Sequence, residues 1–257
     1  MKDPITVSPH ESATRVRRLF RDTMARVIVV TDEHGRALGW VKRSNVLLIT
    51  STKSEATASD IMEDIPFTLS ENNTLGDAFK LMTKYDEWYG IVVGSSWEIR
   101  GIVGMEDIVR LGLESSRGIL ERARVSDYMT KSVVYVKPDD RVATIWRLMA
   151  SLGYAGLPVV NDKGRLVGII TQYDLIRKGY TRIELESESG PRGGARVRDA
   201  MTHSVVYLYP WSSLAEAAEI IVKRGFGRIP IVDGPKTRVL VGVIDREDIA
   251  RALVSGG

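Results

Sequence analysis

The sequence predicts a mixed α/β (α+β) protein built from four β-α-β-β-α repeats that pair into two modules. Three observations carry this reading. Ser126-Asp127-Tyr128-Met129-Thr130 returns as Arg198-Asp199-Ala200-Met201-Thr202, with a fainter copy at Ser59-Asp60-Ile61-Met62. Gly168-Ile169-Ile170-Thr171-Gln172-Tyr173-Asp174 returns as Gly242–Asp248 and Gly101–Asp107, and Gly39–Asn45 is the first copy. The spacing between the two motifs is nearly constant: 41 residues from Asp60 to Gly101 and from Asp127 to Gly168, and 43 from Asp199 to Gly242, where the turn 233–238 is longer. Self-similarity at a period of about 60 residues marks a repeat architecture. A unit of that size cannot bury both faces of its own sheet, so repeat 1 is expected to pair with 2 and repeat 3 with 4. The repeats are placed at 1–57, 58–117, 118–187 and 188–257, giving modules 1–117 and 118–257.

The third repeat shows the elements most plainly. Val133–Val136 is β-branched and predicts a short strand. Pro138-Asp139-Asp140 opens a helix whose apolar positions Val142, Ile145, Trp146, Met149 and Leu152 follow helical spacing, and Gly153 stops it. Leu157–Val160 and Leu166–Ile170 are strands joined by the turn Asp162-Lys163-Gly164, and Thr171–Lys178 is a closing helix. Ser115–Arg124 predicts a charged helical connector between the modules. Glu186–Ala195, rich in Gly and Ser, predicts a flexible insertion. Near the start, Arg15, Arg17, Arg18 and Arg21 interleave with Val16, Leu19, Phe20 and Met24. This reads as a helix with a solvated basic face rather than a nucleic-acid stripe. Trp40 and Trp146 sit in apolar periodicity and are expected in the core.

Composition narrows the chemistry. The 257 residues contain no Cys, which excludes disulfides, thiolate catalysis and Cys-based metal sites. The three histidines, His10, His34 and His203, are too scattered to pair on a helix, so no histidine metal site is expected. The longest apolar runs are far shorter than a membrane span, and no signal-peptide pattern opens the chain. The expectation is a soluble, cytoplasmic protein. Residues 1–120 carry 15 basic and 17 acidic side chains, whereas 121–257 carry 21 and 16. The basic half is therefore the C-terminal one, which favours an anionic ligand there.

The Asp-x-Met-Thr opening, the Leu-Pro-Val-Val strand and the Gly-h-h-Thr-x-x-Asp ending (h, apolar) resemble cystathionine-β-synthase-type (CBS) repeats. Two such repeats form a Bateman module, and four resemble the layout of the γ subunit of AMP-activated protein kinase. The resemblance covers about residues 4–254 and leaves no segment for a catalytic domain. It implies a non-catalytic regulatory protein that binds an adenine nucleotide (AMP, ADP or ATP, or a related adenosyl ligand such as S-adenosylmethionine) in clefts between paired repeats, and acts on a partner protein the sequence does not name.

The ending motif has its own physical logic. A Thr hydroxyl and backbone amides at a helix N-terminus suit a phosphate, and a carboxylate one turn in can accept hydrogen bonds from a ribose diol. Thr171 also suits the helix cap, and both roles are compatible. Only repeat 3 has both Thr171 and Asp174. Transferred residue by residue, the resemblance implies a main site of Ile169, Thr171, Tyr173 and Asp174, faced by Val197, Met201, Arg228, Ile229 and Pro230 of repeat 4. Arg228 would contact phosphate, and Gly227 stands where the kinase subunit has His.

The other clefts depart from this pattern. Repeat 4 keeps Asp248 but places Asp245 where the hydroxyl belongs, and repeat 2 keeps Asp107 with Gly104 in that position; these are weaker second sites. Arg26 lies one position off the Arg228 register. Repeat 1 has Lys42 and Asn45, and nothing is expected to bind there. Two alternatives are a nucleic-acid-binding protein, resting on pI ≈ 9.0 and the arginines, and a scaffold with vestigial sites. The aromatic residues show no sheet-face repetition of the kind that stacks RNA bases. With two modules in one chain, a monomer or a homodimer is expected.

Overall fold

Each repeat condenses around a β-hairpin whose two strands are short, apolar and separated by a turn that reverses the chain. The computed structural model describes residues 3–47, 55–180 and 194–255. Repeat 1 contains β1 (Thr6–Val7), α1 (Ala13–Thr23), β2 (Val27–Thr31), β3 (Ala37–Lys42) and α2 (Arg43–Leu47). Repeat 2 contains α3 (Ala58–Ile61), β4 (Thr68–Ser70), α4 (Leu75–Lys84), β5 (Tyr89–Val93), β6 (Ile99–Gly104) and α5 (Met105–Ser115). The connector α6 (Arg117–Arg122) leads to repeat 3, with α7 (Val125–Tyr128), α8 (Val142–Leu152), β7 (Gly156–Val160), β8 (Leu166–Thr171) and α9 (Gln172–Arg177). Repeat 4 contains α10 (Val197–Ala200), α11 (Leu214–Arg224), β9 (Arg228–Val232), β10 (Leu240–Asp245) and α12 (Arg246–Ser255).

Local chemistry accounts for most boundaries. Gly153 and Gly225 end α8 and α11 in the left-handed region, at φ 66° and 67°, which glycine reaches without steric cost. Ser12, Thr74, Thr171 and Ser213 each accept a backbone N–H from the first turn of the following helix. The predicted strand at Val133–Val136 is reduced to a single parallel bridge between Val136 and Val159. Val133 N–H instead donates to Lys131 C=O in a turn. Repeats 1 and 2 do have a third strand, parallel to the hairpin, whereas the sheets of repeats 3 and 4 have two strands. Helix α8 begins at Val142, after Pro138–Asp140 rather than on it. Met24 is not part of the α1 core face: it is the C-cap, 60% exposed at φ 58°. Trp40 is fully buried and Trp146 half-buried. Of the predicted insertion, residues 186–193 lie outside the described residues.

Pairing is 1 with 2 and 3 with 4, and each repeat's opening segment is lodged on its partner. The opening of repeat 4 lies on repeat 3: Val142 N–H donates to Ala195 C=O, Val197 N–H to Asp140 C=O, and Arg198 N–H to Pro138 C=O. The opening of repeat 3 lies on repeat 4 through Val125 N–H to Ser212 C=O and Ser126 N–H to Pro210 C=O. In the first module, Ala58 N–H donates to Glu11 C=O, and Ala13 N–H to Ala56 C=O. Antiparallel bridges then join each returning strand to the partner's opening: Trp40 with Glu63, Ile169 with Thr202 and Val243 with Thr130.

The two modules meet through helices. Helices α1 and α2 pack on α8 and α9, so repeat 1 faces repeat 3; α5 and α6 pack on α11 and α12, so repeat 2 faces repeat 4. The cores follow this seam. One combines Val16, Phe20 and Val41 with Ile145, Met149 and Leu157; another combines Val109 and Leu120 with Leu214, Ile221 and Ile249. Among the described residues, no helix is long and apolar enough to cross a membrane.

Candidate functional site

The ending motif places an Asp at the same point in repeats 2, 3 and 4 and Asn45 in repeat 1, each with one oxygen turned back to the backbone N–H of the residue three before it. What distinguishes the four positions is the second polar atom, a carboxylate oxygen in the three Asp and the amide nitrogen in Asn45. In repeat 3, Asp174 Oδ2 accepts the Thr171 hydroxyl at 2.6 Å and Thr171 N–H at 3.2 Å, while Thr171 Oγ1 accepts Asp174 N–H at 3.1 Å. Among the described residues, Asp174 Oδ1 meets only the Thr202 hydroxyl of repeat 4, at 3.5 Å, a distance at the outer limit of a hydrogen bond. This oxygen is left with capacity to accept more.

The equivalent groups differ at this atom: those of repeats 1 and 2 are bonded, and that of repeat 4 has only a distant cation beside it. In repeat 2, Asp107 Oδ1 is 2.5 Å from Arg110 Nη2 and Oδ2 accepts Gly104 N–H. In repeat 4, Asp248 Oδ2 accepts Asp245 N–H at 3.1 Å and Oδ1 lies 3.8 Å from Arg251. In repeat 1, Asn45 Oδ1 accepts Lys42 N–H and its Nδ2 donates to Glu63 Oε1, both at 2.6 Å.

The wall opposite Asp174 is clamped by repeat 3 itself. Lys178 Nζ donates to Ala200 C=O at 2.7 Å and Tyr180 OH to Asp199 C=O at 3.0 Å. Met201 is wedged against the strand where Gly168 leaves room: a Cβ at 168 would lie 2.5 Å from Met201 Sδ. Gly242 and Met129 repeat this contact in the twin cleft at 2.6 Å, and Gly39 and Met62 in the first module at 2.9 Å.

The structure distributes the remaining residues differently from the sequence reading. Ile169 lies on β8 with partial exposure, beside Thr202. Val197 and Ile229 are fully buried in two cores, and Pro230 is buried on β9 opposite Val243. Tyr173 turns toward the module seam, with the Arg43 guanidinium 5.3 Å and Arg177 6.0 Å from its ring. Arg228 and Asp245, expected to face different clefts, face each other across the β9–β10 register, with Nη2 3.3 Å from Oδ2. Arg228 also lies over the Tyr154 ring of repeat 3 at 4.3 Å. Asp245 is therefore an ion-paired carboxylate.

A set of residues at the meeting point of the repeats was missed. The first residue of three closing helices donates to the carbonyls that end the preceding long helix or its turn. Arg43 reaches Ala25 and Met24, Gln172 reaches Tyr154, and Arg246 reaches Phe226 and Gly225. The signal was present as a column of the repeat alignment, immediately after Lys42, Thr171 and Asp245. Arg246 continues across the seam to Glu106 at 2.7 Å and Tyr89 OH at 3.3 Å, and Arg26 reaches Gly225 C=O at 2.6 Å. Burial, with Arg26 beside it, pulls Arg43 down to about 10. Tyr207, Tyr209 and Trp211 form an aromatic row, the last two stacked at 4.8 Å. None of the three lies in a named strand, so the row is not a sheet face.

Four hairpin repeats, paired through exchanged opening segments, with Thr-x-x-Asp complete in repeat 3, define a tandem of two repeat pairs of the Bateman type. The chain belongs to the CBS-domain family: the CBS-domain profile matches residues 1–50, 58–114, 125–180 and 197–255. It is similar to the uncharacterized protein MJ1404 of Methanocaldococcus jannaschii, 26% identical over 97% of this chain, and spans 59% of that relative's length. It is also similar to MJ1225 of the same organism, 28% identical over 75% of this chain and 68% of the relative. The crystal structure of MJ1225, proposed as an archaeal homologue of the AMPK γ subunit, superimposes with a TM-score of 0.84 at 23% identity, covering 97% of this chain and 96% of that one. The fold is that of a tandem CBS protein resembling the AMPK γ subunit.

Proposed function

We propose that this chain is a non-catalytic sensor that binds an adenine nucleotide between repeats 3 and 4 and alters the state of a partner protein. One observation carries the reading: Asp174 is the one group that joins a Thr hydroxyl on one oxygen to a second oxygen held only by a 3.5 Å contact to Thr202. Asp248 Oδ1, likewise without a hydrogen bond among the described residues, stands 3.8 Å from Arg251 and has the Asp245 carboxylate in place of the hydroxyl. A ribose diol can donate to Asp174 Oδ1 while Thr171 holds the other oxygen. Membership of the CBS family supports an adenosyl ligand, AMP, ADP or ATP first and S-adenosylmethionine second. The division into modules 1–117 and 118–257, the main-site role of Ile169, Thr171, Met201 and Arg228, and the weaker roles of Asp107 and Asp248 are parts of this reading. Because both helix seams close within one chain, it includes a monomer.

Arg228 supplies phosphate selectivity by exchanging Asp245 for the ligand. The guanidinium gives up a 3.3 Å ion pair, so the net gain from phosphate is smaller than a free Arg would give. A ligand touching both repeats shifts their arrangement only as far as it binds one arrangement better than the other.

Titration calorimetry of the full chain with AMP tests this. Asp174→Ala should weaken AMP by about 10–100-fold, the worth of one or two charge-assisted hydrogen bonds. Arg228→Ala should weaken AMP more than adenosine. Unchanged affinity in Asp174→Ala would remove that residue from the site. Absence of nucleotide heat together with salt-sensitive oligonucleotide binding would favour the nucleic-acid alternative.

A further inference from the structure

The positions that make the repeat 3 cleft receptive, Thr171, Asp174 and Thr202, are all replaced in the cleft of repeat 1. The strand registers establish the equivalence. Lys42 pairs with Val27 as Thr171 pairs with Gly156, and the Trp40–Glu63 bridge matches the Ile169–Thr202 bridge. The replacements are Lys42, Asn45 and Glu63, and they bond to one another. Lys42 Nζ is 3.0 Å from Glu63 Oε2 and 2.6 Å from Glu87 Oε1 of repeat 2. Asn45 donates to Glu63 Oε1 and accepts from Lys42 N–H. The ammonium also lies 5.3 Å from the Trp40 ring centroid. Lys42 and Glu87 are half-buried, with side chains 27% and 15% exposed, so their attraction is less screened than that of a surface pair.

Glu63 alone would repel an Asp at position 45; Asn45 removes that charge, and Lys42 supplies the opposite one. Together they turn a receptor for hydroxyls into a closed ionic contact between repeats. We propose that Lys42, Glu63 and Glu87, oriented by Asn45, form an internal staple that fills the ribose end of the repeat 1 cleft and holds repeats 1 and 2 together without a ligand. The consequence deepens the function proposed above, on which it rests for the behaviour of AMP: nucleotide acts on the repeat 3 cleft while its repeat 1 equivalent stays closed.

Amide hydrogen exchange on the full chain, with and without AMP, tests the staple at Trp40 and Glu63, whose N–H groups bridge the two repeats. In the wild-type chain, AMP should slow exchange at Ile169 and Thr202 and leave Trp40 and Glu63 unchanged. Lys42→Met should speed exchange at Trp40 and Glu63 about tenfold, equivalent to about 1.4 kcal/mol, without nucleotide present. The triple exchange Lys42→Thr, Asn45→Asp, Glu63→Thr should gain AMP-dependent protection at those amides. AMP protection of Trp40 and Glu63 in the wild-type chain would overturn the proposal, as would an unchanged exchange rate in Lys42→Met. A triple variant that gains no protection while Ile169 and Thr202 are protected would overturn the assignment of the block to these residues. If AMP protects neither pair in the wild-type chain, it is the nucleotide-sensor reading that fails, and Lys42→Met still decides the staple.

Discussion

Asp248 is 4% exposed, and the carboxylate of Asp245 caps the same helix turn, accepting Glu247 N–H and Asp248 N–H. Burial first, and the Asp245 charge second, push the Asp248 carboxyl up to about 7, against about 4 for an Asp in an unfolded chain. The folded pKa therefore lies above the unfolded one. This group's contribution to stability is complete below about pH 4 and is lost as pH rises toward 7, because the unfolded chain releases the proton first. Asp248→Asn should flatten that part of the profile: the difference in Tm between pH 4.5 and pH 7.5 should shrink relative to the wild-type chain in calorimetry. An identical difference would count against a raised Asp248. Asp60 and Asp77 act in the opposite direction, since cap hydrogen bonds from Thr57 and Thr74 hold them below the ordinary range. Their share of stability is lost at lower pH, below about 4.

Among elements, the contact that matters most for the cleft is the opening segment lying on the partner's returning strand. Gly168 and Gly242 permit it by leaving room for Met201 and Met129. A methyl group at 168 would lie 3.2 Å from Thr202 C=O as well as 2.5 Å from Met201 Sδ, so the thioether can swing away but the backbone must yield. Gly168→Ala should cost about 1–3 kcal/mol by overpacking, measured by urea unfolding. Adding Met201→Ala should recover part of that loss relative to the sum of the single changes, because the two positions share one contact. Strict additivity would show that the clash lies with the backbone alone.

Across the whole molecule, the modules are joined at their centre by reciprocal reach. Arg246 of repeat 4 extends to Glu106 and Tyr89 of repeat 2, and Arg26 of repeat 1 extends to Gly225 of repeat 4. Arg246 is 2% exposed, and it binds the end of its own long helix with the same guanidinium. Arg246→Met removes a buried guanidinium from Glu106, from Tyr89 and from the end of its own long helix at once, so it should destabilise the chain by about 2–5 kcal/mol in urea unfolding. Arg246→Met with Glu106→Gln should cost less than the sum of the two. A loss under about 1 kcal/mol for Arg246→Met would mean the seam is held by its apolar helices alone.

What the sequence by itself determined is whatever depends on neighbours in the chain. The repeat period, the hairpins, the Gly153 stop and the Thr171 cap are local choices of backbone angle and hydrogen bond, so they were legible residue by residue. The pairing of repeats also followed, because a two- or three-stranded sheet has an apolar face it must cover. Tertiary structure decided what each polar group has left to offer. Asp107, Asp174 and Asp248 share a motif and a backbone position, yet Arg110 occupies one, Arg251 approaches another, and only Thr202 at 3.5 Å meets the third. Arg228 and Asp245 were read as belonging to separate clefts and are cross-strand partners, because the register of β9 on β10 sets them opposite each other. Tyr173, one residue before Asp174, points instead to Arg43 of another repeat. Such outcomes depend on which groups converge from distant parts of the chain, and that is fixed only when the four repeats close around one centre.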